Sequence, residues 1–99
     1  MVKLVKVGEI GVDAGLCWIG DPCYILHAEK LPASLGKDWS EFCDKLKDLH
    51  TQFKYDMGHD GLGVCVSTGL GDGTYDVMAE IVNDPDFGRR VKSIKIDFF

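Results

Sequence analysis

Short strand-like runs separated by turns rich in glycine constrain this 99-residue chain more than any other feature. Residues 2–7 alternate apolar and charged side chains, and the same two-residue period returns from Thr74 to Val82. A nearly continuous apolar run at Leu16–Ile19 is typical of a buried strand. The segments Leu62–Thr68, Thr74–Val82 and Val91–Phe99 follow one another with short turns between them, which predicts an antiparallel meander.

The same patterns predict local structure between and within these strands. Extended backbone is expected at Cys23–Leu26, after the interruption at Gly20–Pro22, and loops are expected over 28–37 and 54–61. Alternation predicts that the inward side chains of the last two strands are Tyr75, Val77, Ala79, Ile81, Ile94, Ile96 and Phe98.

One segment departs from the strand pattern and predicts a helix from about 39 to 50. Asp38 and Glu41 have the spacing of an N-terminal capping box. The apolar residues of the segment repeat at helical spacing on one face: Trp39, Phe42, Leu46 and Leu49. We therefore expect a single α+β domain over 1–99, in which a twisted antiparallel sheet of about five or six strands carries one amphipathic helix.

The net charge of −5 limits the classes of partner. Lys and Arg are scattered along the chain, so the basic stripe with which proteins bind nucleic acid is missing. The same charge disfavours an anionic membrane surface, and no run approaches the ~18 apolar residues of a membrane span. Since the first residues do not resemble a signal peptide, we expect a cytoplasmic protein, in a bacterium or in a host cell. A small ligand, a cation or a basic protein partner is compatible with this charge.

Four cysteines occur at 17, 23, 43 and 65, without a C-x-x-C pair. Cys17 and Cys65 lie in apolar, strand-like runs, where a thiol behaves as a small hydrophobic side chain. Free thiols are therefore expected, as is usual for an intracellular protein. A zinc site is not expected, because the Cys and His residues lack ligand spacing, and neither a metal nor a cofactor is predicted.

The glycine-rich segment Gly69–Gly73 invites comparison with a phosphate-binding loop. Such a loop requires Lys-Ser/Thr after its last glycine and then a helix, whereas here Thr74 and Tyr75 lead into a strand. The segment is better explained as a tight hairpin turn whose glycines supply positive φ. A rim of backbone donors for a ligand is the alternative.

Asp21 and Asp72 each lie in a turn beside glycine or proline. Aspartate is favoured in turns because its carboxylate accepts hydrogen bonds from backbone N–H groups that follow it. If the two turns meet at one sheet edge, the paired carboxylates would bind Ca²⁺ or Mg²⁺ or act in acid–base chemistry. Asp13 and Asp76 are candidates to join them.

Cys23 is the best candidate nucleophile, since it follows a proline turn where the thiol is expected to be exposed. It would need a base, and His27 would lie about 13 Å away along a strand. His59 would approach only through the tertiary fold. A structural cysteine is the favoured interpretation.

Two groups of residues together carry a family resemblance. The first is Val12–Gly15 followed by Asp21-Pro22-Cys23-Tyr24, and the second is Thr68–Val77 with a terminal Ile96-Asp97-Phe98. The chain resembles small bacterial and phage proteins of a domain family of unknown function, whose motifs are similar to V-D-S-G, D-P-C-Y, T-G-x-G-D-G-x-Y-x-V and I-D-F. Ala14 stands here where serine is common, and Asp76 where proline is common. The resemblance implies the fold and a phage or bacterial origin, and it implies no activity.

These observations favour a non-enzymatic binding protein that sequesters a small ligand or blocks a protein partner, and that forms a homo-oligomer to cover its strand edges. The alternatives are a small hydrolase or lyase that uses Asp21 and Asp72 with Cys23, and a structural protein of an assembly. The expected ligand-binding residues combine backbone-exposing glycines with carboxylates and tyrosines: Asp21, Tyr24, Gly71, Asp72, Gly73 and Tyr75.

Overall fold

The fold, given by a computed structural model, is described over residues 3–27, 29–55 and 58–99. Nearly all of its regular structure is antiparallel strand, and within these ranges no helix is long and apolar enough to cross a membrane. The elements in chain order are β1 (Leu4–Val12), β2 (Leu16–Ile19), α1 (Cys23–Leu26), a 3-10 turn (Ala33–Leu35), α2 (Trp39–Asp44), β3 (His50–Tyr55), β4 (His59–Ser67), β5 (Gly73–Asp84) and β6 (Gly88–Ile96).

The six strands form two three-stranded sheets rather than the one sheet that the sequence predicts. A first unit, made of the residues up to Gly15 and of Thr68–Phe99, contains the sheet β1-β5-β6. A second unit, Leu16–Ser67, contains the sheet β2-β4-β3 and the short helices. The single domain expected from the chain length stays a prediction.

Aromatic and aliphatic side chains form the core of the second unit. Its buried centre consists of Leu35, Phe53, Leu62 and Cys65, and partly buried side chains pack against that centre: Leu16, Trp18, Tyr24, Phe42, Leu46 and Tyr55. The rings of Phe42 and Phe53 stack with centroids 5.1 Å apart. Burial of each large apolar side chain contributes about 1.5–3 kcal/mol, so this cluster is the main source of stability in the unit.

The position of the Trp18 indole explains why two positions of the second unit are glycine. Its ring lies over the backbone of Gly63, where a β-carbon would collide with it. A β-carbon at Gly20 would lie 2.8 Å from the indole nitrogen and 2.9 Å from the carbonyl oxygen of Leu62. The two glycines are therefore required by close approach of the large ring to the backbone.

Only the first half of the segment predicted as a helix over 39–50 is helical, since α2 ends at Asp44, and the single amphipathic helix that the sequence predicts is not confirmed. Helix α2 begins as the sequence predicts, because the Asp38 carboxylate accepts a hydrogen bond of 2.9 Å from the Glu41 N–H. Phe42 and Leu46 pack against the core, whereas Trp39 and Leu49 are exposed. The last residue of the segment predicted as a helix, His50, begins β3 and pairs with Val66 of β4.

Three further local predictions are wrong. Cys23–Leu26 is a short helix rather than extended, since Pro22 at φ −64° precedes it with helical backbone. Most of the predicted loop 54–61 belongs to the ends of the β3–β4 hairpin, while Asp56 and Met57 lie outside the described residues. The predicted meander is wrong in its first pairing, because β4 pairs with β2 and β3 and not with β5.

The sheet of the first unit has one largely apolar face. Antiparallel register places Val5, Ala79 and Ile94 side by side on this face. On the opposite face, the ammonium group of Lys6 lies 3.1 Å from the Asp76 carboxylate. Ile94 was expected to point inward but is 53% exposed, because β6 is an edge strand; the other six predicted inward residues are buried or half-buried.

Candidate functional site

Asp21 organises the turn that precedes α1. Its carboxylate accepts a hydrogen bond of 3.0 Å from the Cys23 N–H, which is the backbone-bonding role that the sequence suggests for a turn aspartate. The carbonyl of Asp21 also accepts a bond of 3.3 Å from the Tyr24 N–H. The contacts with the Cys23 N–H and thiol lower the pKa of Asp21 below its ordinary value, because they stabilise the ionised carboxylate.

The same contact determines the chemistry of Cys23. The interaction of its exposed thiol with the Asp21 carboxylate raises the pKa of Cys23. A nearby negative charge disfavours the thiolate, and the thiolate is the nucleophilic form. Cys23 is therefore held as a thiol, and the proposed nucleophile is placed in an unfavourable environment.

The other thiols behave as the sequence predicts. All four cysteines are free, and Cys17 and Cys65 are buried in β2 and β4. Burial raises the pKa of both of these thiols, since a thiolate is poorly solvated there.

Three aromatic rings meet where α1 faces the β3–β4 hairpin. Tyr55 and His59 are cross-strand partners of that hairpin, with ring centroids 5.4 Å apart. Tyr24 comes from α1, and its ring lies 4.6 Å from that of Tyr55 and 5.5 Å from that of His59. Both tyrosines are half-buried against the core of the second unit, while His59 is exposed.

Hydrogen bonds fix the orientation of the His59 ring. Its Nδ1 accepts a bond of 3.1 Å from the Gly61 N–H, so the proton of the neutral imidazole is carried by Nε2. Nε2 lies 2.7 Å from the Tyr24 hydroxyl oxygen and donates to it. Among the described residues no acceptor takes the hydroxyl proton of Tyr24, which leaves an oriented donor at the edge of three rings.

The turn from Thr68 to Tyr75 is closed by its own polar groups. The carbonyl oxygen of Gly71 accepts bonds from the hydroxyls of Thr68 (2.7 Å) and Tyr75 (2.6 Å). Gly71 and Gly73 have φ of 98° and 154°, so the predicted positive φ is confirmed. The predicted hairpin is wrong, because the turn connects β4 to β5 and these strands lie in different sheets.

The predicted ligand-binding residues of this turn differ in whether their polar groups are engaged within the turn or can contact a ligand. The polar tip of Tyr75 is used by the Gly71 carbonyl, and its ring meets Phe98 edge-on at 5.2 Å. Asp72 is exposed, and within the described ranges its carboxylate accepts no hydrogen bond. The carboxylate of Asp72 is thus the charged group of the turn that can contact a ligand, whereas Gly71 and Tyr75 stabilise the turn itself.

The structure brings Asp21 and Tyr24 together in the second unit, and Gly71, Asp72, Gly73 and Tyr75 together in the first. A common cleft of Asp21 and Asp72 stays a prediction. In the described ranges no three His, Cys, Asp or Glu side chains are arranged to hold a metal ion.

Sequence reasoning missed the contribution of Tyr55, and it considered His59 as a base for Cys23 and among the Cys and His residues that lack zinc-ligand spacing. A signal was present: Thr51, Phe53 and Tyr55 occur at alternate positions with polar residues between them, which is typical of a half-buried strand. A hairpin with Tyr55 and His59 at its end follows once that strand pairs with the next.

No family model matches the chain, and no curated protein and no solved structure is significantly similar to it. The resemblance to small phage and bacterial proteins therefore stays a hypothesis.

Proposed function

We propose that this is a non-enzymatic binding protein whose second unit holds a small ligand at the aromatic cluster of Tyr24, Tyr55 and His59. The observation that carries the proposal is the 2.7 Å hydrogen bond from His59 Nε2 to the Tyr24 hydroxyl, with Nδ1 held by the Gly61 N–H. Ligand sites typically combine apolar or aromatic surface with a few polar groups of fixed orientation. The cluster has both properties.

The chemistry of the cluster defines the class of ligand. Aromatic rings favour a flat partner that stacks on them or meets them edge-on. The Tyr24 hydroxyl has a proton to donate, so the ligand needs an acceptor oxygen or nitrogen at the edge of its ring. Nucleobases have both features, and nucleosides are therefore the first probes.

The environment of Cys23 supports binding rather than catalysis. A hydrolase or lyase that uses Cys23 needs a thiolate, and the Asp21 carboxylate raises the pKa of this thiol. Asp21 itself is engaged by the Cys23 N–H, which leaves less of its carboxylate for acid–base chemistry. Asp72 stays a candidate ligand-binding residue because its carboxylate is exposed.

A panel of nucleosides and nucleotides tests the proposal by amide NMR titration. We expect at least one compound to shift the Gly61 amide, and to be recovered chemically unchanged after the protein is denatured by heat. Tyr24→Phe keeps the ring and removes the donor, and should weaken binding about two- to tenfold, the cost of one lost hydrogen bond. Tyr75→Phe is the matched control, because its hydroxyl bonds Gly71 in the first unit.

Two results would contradict the proposal. Recovery of a converted compound would show catalysis. Equal affinity of Tyr24→Phe and wild type would place the ligand elsewhere.

We also propose that the protein is a cytoplasmic homo-oligomer of phage or bacterial origin. Light scattering at tens of micromolar protein tests the oligomeric state, and a monomer at that concentration would count against it.

A further inference from the structure

Strand β6 offers an open edge in the first unit. It pairs with β5 on one side and forms one border of the sheet β1-β5-β6. Eight of its nine residues are exposed. Backbone N–H and C=O groups along such a border are a template for another strand.

The strand is also a local concentration of positive charge on an acidic protein. Its sequence, GRRVKSIKI, contains four cations and no carboxylate, although the chain carries a net charge of −5. Lys92 and Lys95 make long ion pairs, at 3.9 Å to Glu80 and 3.8 Å to Asp97. In the part of the chain that the structure describes, Arg89 and Arg90 make no ion pair.

The register sorts the side chains of β6 onto two faces. Val91 and Ile94 lie opposite Ile81 and Ala79, on the apolar face of the sheet, and are 60% and 53% exposed. Arg90 and Lys95 lie opposite Val82 and Met78, on the other face. Val91 and Ile94 share a face although they are three residues apart, because the register shifts between Glu80 and Ile81. Arg89, opposite Asn83, lies on that same face. A strand added beside β6 would therefore meet Val91 and Ile94 beside Arg89 on one face, and Arg90 and Lys95 on the other.

This pattern selects among possible occupants. Two β6 strands from separate copies would bring like charges together, which destabilises cross-strand pairs. Basic residues on an edge strand are a known means of preventing such self-association. A nucleic acid would use the cations but would leave Val91 and Ile94 exposed to water.

We infer that β6 binds an extended acidic segment of another protein as a fourth strand of the sheet. The segment alternates apolar residues, which pack beside Val91 and Ile94, with Asp or Glu, which pair with Arg90 and Lys95. Main-chain hydrogen bonds supply affinity, and the alternating side chains supply specificity. The inference concerns the first unit and is independent of the ligand site proposed in the second.

Fluorescence anisotropy with a labelled eight-residue peptide that alternates valine and glutamate tests this inference. We expect saturable binding that weakens as salt is added, and shifts of the β6 amide resonances. A peptide of the same composition in scrambled order, and one that is N-methylated at alternate amides, should each bind at least tenfold more weakly. The double variant Arg90→Glu/Lys95→Glu should lose binding to a similar degree.

The matched control is Lys45→Glu/Lys47→Glu, which changes the net charge equally on exposed positions of the second unit. This control should bind the peptide as wild type does, and circular dichroism should show that both variants are folded. Equal binding of the scrambled peptide, loss of binding in the control, or preference for single-stranded DNA over the peptide would each overturn the inference. So would a lack of binding at millimolar peptide.

Discussion

The turns at Gly20–Tyr24 and at Thr68–Tyr75 contain the same residue types and use them in opposite ways. In the first turn the aspartate is bound to backbone, and the tyrosine hydroxyl meets a histidine. In the second turn the tyrosine is bound to backbone, and the aspartate is exposed. A motif of glycine, aspartate and tyrosine therefore does not predict which polar group can contact a ligand. That depends on the hydrogen-bond partner that each group has in the fold.

The two turns also differ in what supports them. Tyr24 packs against the buried cluster around Phe53, whereas the second turn is held by three hydrogen bonds to and from Gly71. The first should depend mainly on apolar packing and the second on individual hydrogen bonds. Substitutions that remove one support at a time test this difference.

The largest effect is expected from Phe53→Ala. Phe53 is 4% exposed and stacks on Phe42, so its truncation leaves a cavity that should lower the free energy of unfolding by about 3–5 kcal/mol. Urea unfolding followed by circular dichroism measures the change. Trp39→Ala is the control, since Trp39 is 60% exposed; a loss as large as that of Phe53→Ala would show that burial is not the cause.

A smaller loss is expected from Tyr75→Phe, which removes one of the two side-chain donors to the Gly71 carbonyl. The expected cost is about 0.5–1.5 kcal/mol in the free energy of unfolding. Tyr24→Phe should cost less, because its hydroxyl partner His59 is exposed and water replaces the lost bond. The reverse order, in matched urea melts, would invalidate the distinction between the two tyrosines.

Alkylation of Cys23 distinguishes the two aspartates without unfolding the protein. Asp21→Asn removes the carboxylate whose side-chain interaction and negative charge raise the pKa of the Cys23 thiol, so iodoacetamide should modify Cys23 faster at mildly alkaline pH. Mass spectrometry of the Cys23 peptide over time gives the rate. Asp72→Asn should leave this rate at the wild-type value, and an equal acceleration there would mean that Asp21 is not its cause.

The smallest effect concerns acid stability. Since folding lowers the pKa of Asp21, its contribution is present above the ordinary aspartate pKa of about 3.9 and is lost as the pH falls through the lower, folded value. Asp21→Asn should remove this component, so its unfolding midpoint in urea should fall less between neutral and strongly acidic pH than that of wild type. An identical fall in both proteins would rule out the contribution.

Local signals in the sequence predicted local features of the fold. The burial predicted for the strand at Leu16–Ile19 is wrong, because β2 is an edge strand and Ile19 is 48% exposed. The extended backbone of β2, the N-terminal cap at Asp38, the positive φ of Gly71 and the buried thiols of Cys17 and Cys65 are confirmed. Each depends on a few neighbouring residues. The mostly antiparallel architecture also followed from the period of the strands.

Features that depend on pairing between distant residues were not predictable in this way. Alternation marks a strand but does not select its neighbour, so β4 and β5 were joined into a meander that the structure lacks. The helical pattern ran on to Leu49 because spacing alone does not show that His50 pairs with Val66. The hydrogen bond from His59 to Tyr24 spans 35 residues and has no local signature.

The close packing of Trp18 on Gly63 has a consequence for the history of this sequence. A mutation that gives position 63 a side chain is accepted only after the indole at position 18 has been replaced by something smaller, and the reverse change requires glycine to be in place first. Gly20 is more tightly constrained, because a β-carbon there would also lie 2.9 Å from the backbone carbonyl oxygen of Leu62, which a smaller residue at position 18 does not remove. Among descendants of a common ancestor that keep this sheet, positions 18 and 63 should change together or not at all, and position 20 should stay glycine.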